Sequence, residues 1–265
     1  MKPRIIVITG QAFNCDYETE EAWNMVGADA ERVHINRLRA GEKKLGDYDI
    51  LTIPGGFTFG DDIEAGAIMK AWFSTYLRDD IQRFLEAKKL ILGICNGAQI
   101  GIKYGLAPDM PGYDRPVVTL TANDSARFEC RWVNLVNING KSVFTEGIDA
   151  IELPVAHGEG KFLIDPAHPE VLQKMYGLDL IALKYADPNG NLAKGVYPLY
   201  PNGSVDDIAG ICNSDGTVLL MMPHPERYKN PTNHPRWTRQ RSEGTLPQRG
   251  EGLIIFENGV RYCKG

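Results

Sequence analysis

Three short apolar runs each end at a sharp break and lead into a stretch with helical spacing. "RIIVIT" (Arg4 to Thr9) stops at Gly10, and Glu18 to Val26 then places Ala22, Met25 and Val26 on one helical face. "DILTIP" (Asp49 to Pro54) stops at Pro54-Gly55-Gly56. A helix predicted from about Met69 to Ala87 follows, with Trp72, Phe73, Tyr76, Leu77, Phe84 and Leu85 at intervals of three and four. "KLILGI" (Lys89 to Ile94) turns at Cys95 into a helix through Tyr104. Strand–helix alternation of this kind builds parallel strands with crossover helices, hence a doubly wound α/β sheet. Ligands of such sheets sit beyond the carboxyl ends of the strands, where Gly55-Gly56 and Cys95 both lie.

The second half changes character. Asn139-Gly140, Asn189-Gly190 and Asn202-Gly203 read as hairpin turns between short β-rich runs such as Trp132 to Ile138 and Ala209 to Cys212. Without a linker, these runs are expected to extend the same sheet with antiparallel strands, so residues 1–265 read as a single domain. Val218 to Met222 is a further buried strand, broken at Pro223. Residues 227–249 hold six Lys/Arg against one Glu and read as a basic loop extension, either a docking surface or a solvated loop. At the C-terminus, Leu253, Phe256 and Val260 fit a helix, while Asn258-Gly259 fits a hairpin turn.

Composition excludes several classes. A net charge of −5 with 24% charged residues argues against a nucleic-acid coat, and no basic run suits an anionic membrane. The apolar run at the N-terminus is too short for a signal segment, and Leu90 to Ile102 is too short and polar to span a bilayer. Cys15, Cys95, Cys130, Cys212 and Cys263 are odd in number and lack metal-ligand spacing. Free thiols in a reducing, cytoplasmic setting are expected, with no metal.

Gly93, Cys95 and Gly97 have the spacing of a Gly-x-nucleophile-x-Gly elbow. Such a corner aims a side chain out of the sheet at a helix N-terminus, whose amides favour a thiolate. A lone cysteine there is as readily a buried hydrophobe. The segment "PHPER" (Pro223 to Arg227) follows another buried strand and shifts that balance. Its prolines are expected to hold His224 and Glu226 extended at a strand end. A thiol nucleophile needs an imidazole to take its proton, and the imidazole needs an acceptor to fix its tautomer. Cys95, His224 and Glu226 form such a set. The amides of Gly56 and Phe57 in "PGGF", with that of Asn96, are expected to form an oxyanion hole, and Gly55 lets the backbone approach a substrate.

"PGGF", "GICNGAQ" and "PHPE", in this order, resemble the class I (triad) glutamine amidotransferases. Within them, "FNCDYETEEAW", "GGFTFGDD", "ARFECRWVNL", "PVAHGEGKF", "YPNGSVDDIAGICNSDG" and "LLMMPHPER" are similar to the glutaminase components of phosphoribosylformylglycinamidine synthases. The resemblance runs from about Ile5 through Arg227 and includes the ending "GLIIFENGVRY", for which it implies a helix over 250–265. It implies a flavodoxin-like, mostly parallel sheet with Cys95 as nucleophile, His224 as general base and acid, and Glu226 as its orienting acceptor. It further implies that glutamine is cleaved through a glutamyl thioester and that ammonia passes to a separate synthetase subunit of de novo purine synthesis. ATP and Mg are then expected in that partner, since this chain has no Walker-type phosphate loop and needs no cofactor of its own. A small accessory subunit is a further expected partner.

Gln99 matches a position that contacts glutamine in related enzymes, and Arg127, Phe128 and His157 are weaker candidates for substrate contact. Glu64 stands where the resembled family often carries Arg. Rival readings are a stand-alone thiol hydrolase of the DJ-1/PfpI type, disfavoured by the late "PHPE" element, and a non-catalytic regulatory subunit, disfavoured by the intact Cys–His–Glu set.

Overall fold

The computed structural model describes every residue except 62, 63, 114, 139 and 140. In chain order the first half runs β1 (Arg4–Thr9), α1 (Asp16–Met25), β2 (Asp29–His34), α2 (Ile35–Arg39), β3 (Ile50–Ile53), α3 (Ala67–Tyr76), α4 (Arg78–Glu86), β4 (Leu90–Ile94) and α5 (Asn96–Tyr104). The second half runs β5 (Val118–Thr121), β6 (Glu129–Asn137), β7 (Ala150–His157), β8 (Lys161–Ile164), α6 (Val171–Gly177), β9 (Ile181–Ala186), β10 (Ile208–Cys212), β11 (Val218–Met221), α7 (Trp237–Glu243) and α8 (Leu253–Lys264).

Nine strands form one sheet in the order β2-β1-β3-β4-β11-β10-β9-β6-β7, and β5 pairs with β8 apart from it. The stretch from β2 to β11 is parallel throughout, whereas β10, β9, β6 and β7 alternate in direction. The sheet is therefore the expected mostly parallel one with antiparallel additions. β3, β4 and β11 are buried along their whole length, which is why they read as unbroken apolar runs.

β7, last in the strand order, returns to the segment after β11. The amide of His224 donates to the carbonyl of Pro154 at 2.8 Å. The antiparallel half thus comes round to the carboxyl end of the parallel half.

Several expectations need correction. The helix predicted over 69–87 is two helices that meet at the buried Leu77, whose φ of −123° breaks the helical path. Asp79 and Asp80 then open α4, where carboxylates suit the positive helix end. β2, "DAERVH", gave no apolar run because it is an edge strand. Its outward amides at Ala30 and Arg32 are covered by the side chains of Asn24 and Glu20, each at 3.1 Å.

Asn139-Gly140 lies outside the described residues. Asn189-Gly190 forms a tight turn under the Asp187 carboxylate, closing only a single bridge between Ala186 and Leu192. Asn202-Gly203 is not a hairpin, because Asn202 is buried and donates to the Gly160 carbonyl at 2.7 Å.

The stretch 227–249 is not simply a loop. It starts inside the 3-10 turn Pro225–Tyr228 and contains a second one at Pro231–Asn233, then α7, which buries none of its residues. At the C-terminus the helix prevails over the hairpin. Asn258 is buried in α8 and donates to the carbonyls of Phe144 and Glu146 at 2.9 and 2.8 Å, while Gly259 lets Trp23 pack against the helix.

Candidate active site

Cys95 sits between β4 and α5 at φ 51° and ψ −108°. A positive φ is rare for a side chain of this kind, and such strain persists only where the surroundings impose it. Here they are close-packed backbone. A Cβ on Gly97 would lie 1.9 Å from the carbonyl oxygen of Ile53, and one on Gly93 would lie 2.9 Å from that of Gly97. The two glycines let α5 approach the sheet, and the Cys95 amide is tied to Met221 of the neighbouring strand at 2.8 Å.

β11 lies beside β4, so the chain leaving it delivers His224 to Cys95 across 129 positions of sequence. The His224 backbone, at φ −106° and ψ 89°, is not helical, and Glu226 is not extended, contrary to expectation. The 3-10 turn that begins at Pro225 folds Glu226 back, and its Oε1 meets the His224 Nδ1 at 2.6 Å. Both residues are fully buried. Burial alone would disfavour a charged imidazole. The Glu226 carboxylate and the nearby Cys95 and Cys15 sulfurs outweigh it and hold the His224 pKa well above its ordinary value. Nε2 of His224 makes no hydrogen bond among the described residues, and the Cys95 thiol donates to the Ala156 carbonyl at 3.7 Å. The nitrogen that must take a proton is thus open, while Nδ1 is held by the acid.

Gly55 packs against this pair: a Cβ there would lie 2.8 Å from the His224 ring and 3.4 Å from the Cys95 Cβ. It shapes the site rather than lining the cleft. The cleft has a volume of about 140 Å3 and is lined by Gly56, Phe57, Cys95, Gln99, Phe128 and residues Ala156 to Glu159. A larger hollow of about 430 Å3 beside α3, α5 and β5 has no such pairing of nucleophile and base.

Of the three expected oxyanion donors, one is withdrawn. The Phe57 amide already donates to the Ala12 carbonyl at 2.8 Å. The Gly56 amide makes no hydrogen bond among the described residues, and Asn96 opens α5 next to the nucleophile. Asn96 also does something the sequence reading missed. Its side-chain oxygen accepts from the Thr58 hydroxyl at 2.8 Å, and its amide donates to Gln99 at 2.8 Å. Gln99 in turn donates to the Glu159 carbonyl at 2.6 Å. This relay ties the "PGGF" loop, α5 and the loop after β7 together.

Phe128 borders the cleft, half exposed, with its ring 6.1 Å from that of Phe57. The Arg127 side chain is exposed and does not line it. His157 does. Burial, and then the charge of His224, push its pKa down to about 3, so the ring stays neutral. Its Nδ1 meets Asn123 Oδ1 at 3.1 Å, and Nε2 has no partner among the described residues. That oxygen also accepts from the Gly160 amide, so Nδ1 carries the ring proton. Glu64, where an Arg was expected of the family, pairs with Lys103.

Residues 2–263 match the model of the CobB/CobQ-like glutamine amidotransferase domain. The chain belongs to this family. The chain is 42% identical over 264 residues to a Dehalococcoides mccartyi protein described as phosphoribosylformylglycinamidine synthase subunit PurQ, covering 99% of this chain and 98% of that one. A Methanococcus maripaludis protein of the same description is 40% identical over 267 residues, covering 98% and 97%. Among solved structures, a chain of PurLQS from Thermotoga maritima matches with a TM-score of 0.71 and 29% identity, covering 99% of this chain and all of that one. The glutaminase domain of a Trypanosoma brucei CTPS, at 14% identity and a TM-score of 0.58, shares the fold. In this amidotransferase the Cys95 corner and the His224–Glu226 turn therefore occupy the carboxyl ends of two adjacent parallel strands, where ligands of such sheets bind. No helix among the described residues is long and apolar enough to cross a membrane.

Proposed function

We propose that this chain is the glutaminase subunit of a phosphoribosylformylglycinamidine synthase. It hydrolyses glutamine and delivers the ammonia to a synthetase subunit that forms formylglycinamidine ribonucleotide in purine synthesis. The observation that carries the reading is a cysteine on a strained elbow beside a buried His–Glu pair 2.6 Å apart, in a chain 40–42% identical to PurQ subunits along nearly its whole length.

His224 takes the Cys95 proton on Nε2 while Glu226 holds Nδ1–H. The thiolate adds to the carboxamide carbon of glutamine, and the oxyanion is held by the amides of Gly56 and Asn96. His224 returns the proton to the leaving nitrogen, so ammonia departs and a glutamyl thioester remains. Water, deprotonated by His224, then releases glutamate and restores the thiol. ATP and its Mg2+ belong on this reading to the synthetase, with a small accessory subunit in the complex. The Thermotoga maritima PurLQS structure supports such an assembly.

Glutamine hydrolysis, measured on the chain alone and with its cognate synthetase, tests the reading. Weak activity alone and strong activation by the partner are expected. No turnover with the synthetase present, or full activity in Cys95→Ser, would overturn it.

A further inference from the structure

Cys15 is a second buried thiol at the same imidazole, and no bond is made or broken at it in the hydrolysis. It lies in the turn before α1, with its amide held by the Gly55 carbonyl at 3.1 Å. Its sulfur lies 4.0 Å from His224 Nδ1, the nitrogen bound to Glu226 rather than the one facing the nucleophile. One ligand atom from each of Cys15, His224 and Glu226 falls within 4.8 Å of the others, and all three residues are buried. A second observation points the same way: Glu226 Oε2 is buried with no hydrogen-bond partner among the described residues. A fully buried carboxylate oxygen without a donor is an acceptor awaiting one.

We propose that Cys15, His224 and Glu226 form an inhibitory site for a thiophilic divalent cation such as Zn2+ or Cd2+. Thiolate, imidazole and carboxylate are the ligand types such ions take. A Zn–S bond of about 2.3 Å and a Zn–N bond of about 2.0 Å together reach ~4.3 Å, enough to bridge the sulfur and Nδ1 as they stand. The cation–Nδ1 bond replaces the hydrogen bond to Glu226, whose carboxylate becomes the third ligand.

The step balances as ligand exchange without redox change. The Cys15 S–H bond breaks and its proton leaves to solvent, the single ring proton moves from Nδ1 to Nε2 as the imidazole changes tautomer, and sulfur and Nδ1 each donate a pair to the cation. The imidazole then carries its one proton on Nε2 and has no lone pair to accept the proton of Cys95. One charge opposes entry: Arg227 donates to the Cys15 sulfur at 3.0 Å. Its side chain is 37% exposed and can withdraw toward Glu18, 3.9 Å from its Nε. Displacement of Arg227 also marks the route by which an ion reaches the buried ligands.

The inhibition rests on the glutaminase reading, whereas the binding does not, so the two are measured separately. The full chain, with Cys130 and Cys263 replaced by Ser to silence the more exposed thiols, is titrated with Cd2+ alone. The thiolate-to-cadmium absorption is followed. One equivalent is expected to bind in this background and equally in Cys95→Ser, with at least a tenfold loss of affinity in Cys15→Ser. Glu226→Gln, which keeps the shape of the site, is expected to lose affinity as well and preserves the test if Cys15→Ser does not fold. Unchanged binding in Cys15→Ser, or its loss in Cys95→Ser, would overturn the proposal. In the activity assay, one equivalent of Zn2+ is expected to stop glutamine hydrolysis, a chelator to restore it, and Cys15→Ser to resist it.

Discussion

The two halves of the sheet contribute to the cleft in different ways. The parallel half supplies groups held by backbone: Cys95 on a corner that neighbouring carbonyls leave no room to relax, and His224 at the end of the adjacent strand. The antiparallel half supplies a wall held by side chains, with His157 fixed by Asn123 and the loop after β7 fixed by Gln99. Chemistry thus belongs to the rigid half and shape to the adjustable one. The same kind of change should therefore have unequal consequences on the two sides.

The largest effect is expected at the nucleophile. Cys95→Ala should lower glutamine hydrolysis by roughly 10⁴-fold or more while leaving the melting temperature nearly unchanged. Glu226→Gln is expected to be next. It keeps the shape of the turn but removes the charge that orients His224, so kcat should fall by roughly 10²- to 10⁴-fold with KM little altered. A matched fall in kcat and rise in KM would instead place Glu226 in substrate binding.

A pair of glycines tests the contrast directly. Alanine at Gly97 meets the Ile53 carbonyl at 1.9 Å, and backbone cannot step aside. Its expected cost is on the order of 3 kcal/mol, or a fall in Tm of roughly 6–12 °C at about 2–4 °C per kcal/mol. Alanine at Gly160 meets the His157 ring at 2.2 Å, and this buried ring must give up its hydrogen bond to Asn123 to make room. Gly160→Ala should therefore cost on the order of 1–2 kcal/mol, less than the backbone clash at Gly97, and also raise KM for glutamine. Equal melting temperatures for the two variants would erase the distinction between the halves.

The same contrast explains what could be read in the sequence. The parallel half was legible because buried strands and their glycine breaks leave contiguous marks: "LILGI", "PGGF" and "PHPE" each announce a strand end. β2 escaped because an edge strand with Arg32 and Glu31 on it carries no apolar run. Leu77, an apolar residue inside a helical pattern, hid the break between α3 and α4. The Cys95–His224 pairing needs β4 and β11 to be neighbours, which no local pattern specifies; the chemistry of the two motifs suggested the pair and the resemblance supported it, but neither gave the adjacency. The Phe57 amide was misplaced because its partner is a backbone carbonyl at Ala12, and carbonyls have no sequence signature. Nor could spacing show that Cys15 reaches the same imidazole as Cys95 from the other side.

The pH dependence of stability separates the halves by sign. His157 on the antiparallel side is buried neutral, with its pKa lowered from 6.5 to about 3. The folded state therefore binds fewer protons than the unfolded one across that window. Its contribution to stability is complete above about pH 6.5 and is lost as the pH falls toward 3, at up to roughly 1.4 kcal/mol per unit. His224 on the parallel side has a raised pKa, mainly through the Glu226 carboxylate acting against burial. Its contribution is complete below about pH 6.5 and is lost as the pH rises through the raised value. Urea midpoints measured against pH should then diverge. His157→Gln should flatten the acid side of the profile, because the neutral amide has no proton to gain. His224→Gln should flatten the neutral-to-alkaline side. If both variants keep the wild-type slope on both sides, neither imidazole is held as the structure holds it, and the cleft must be described as two walls of one kind.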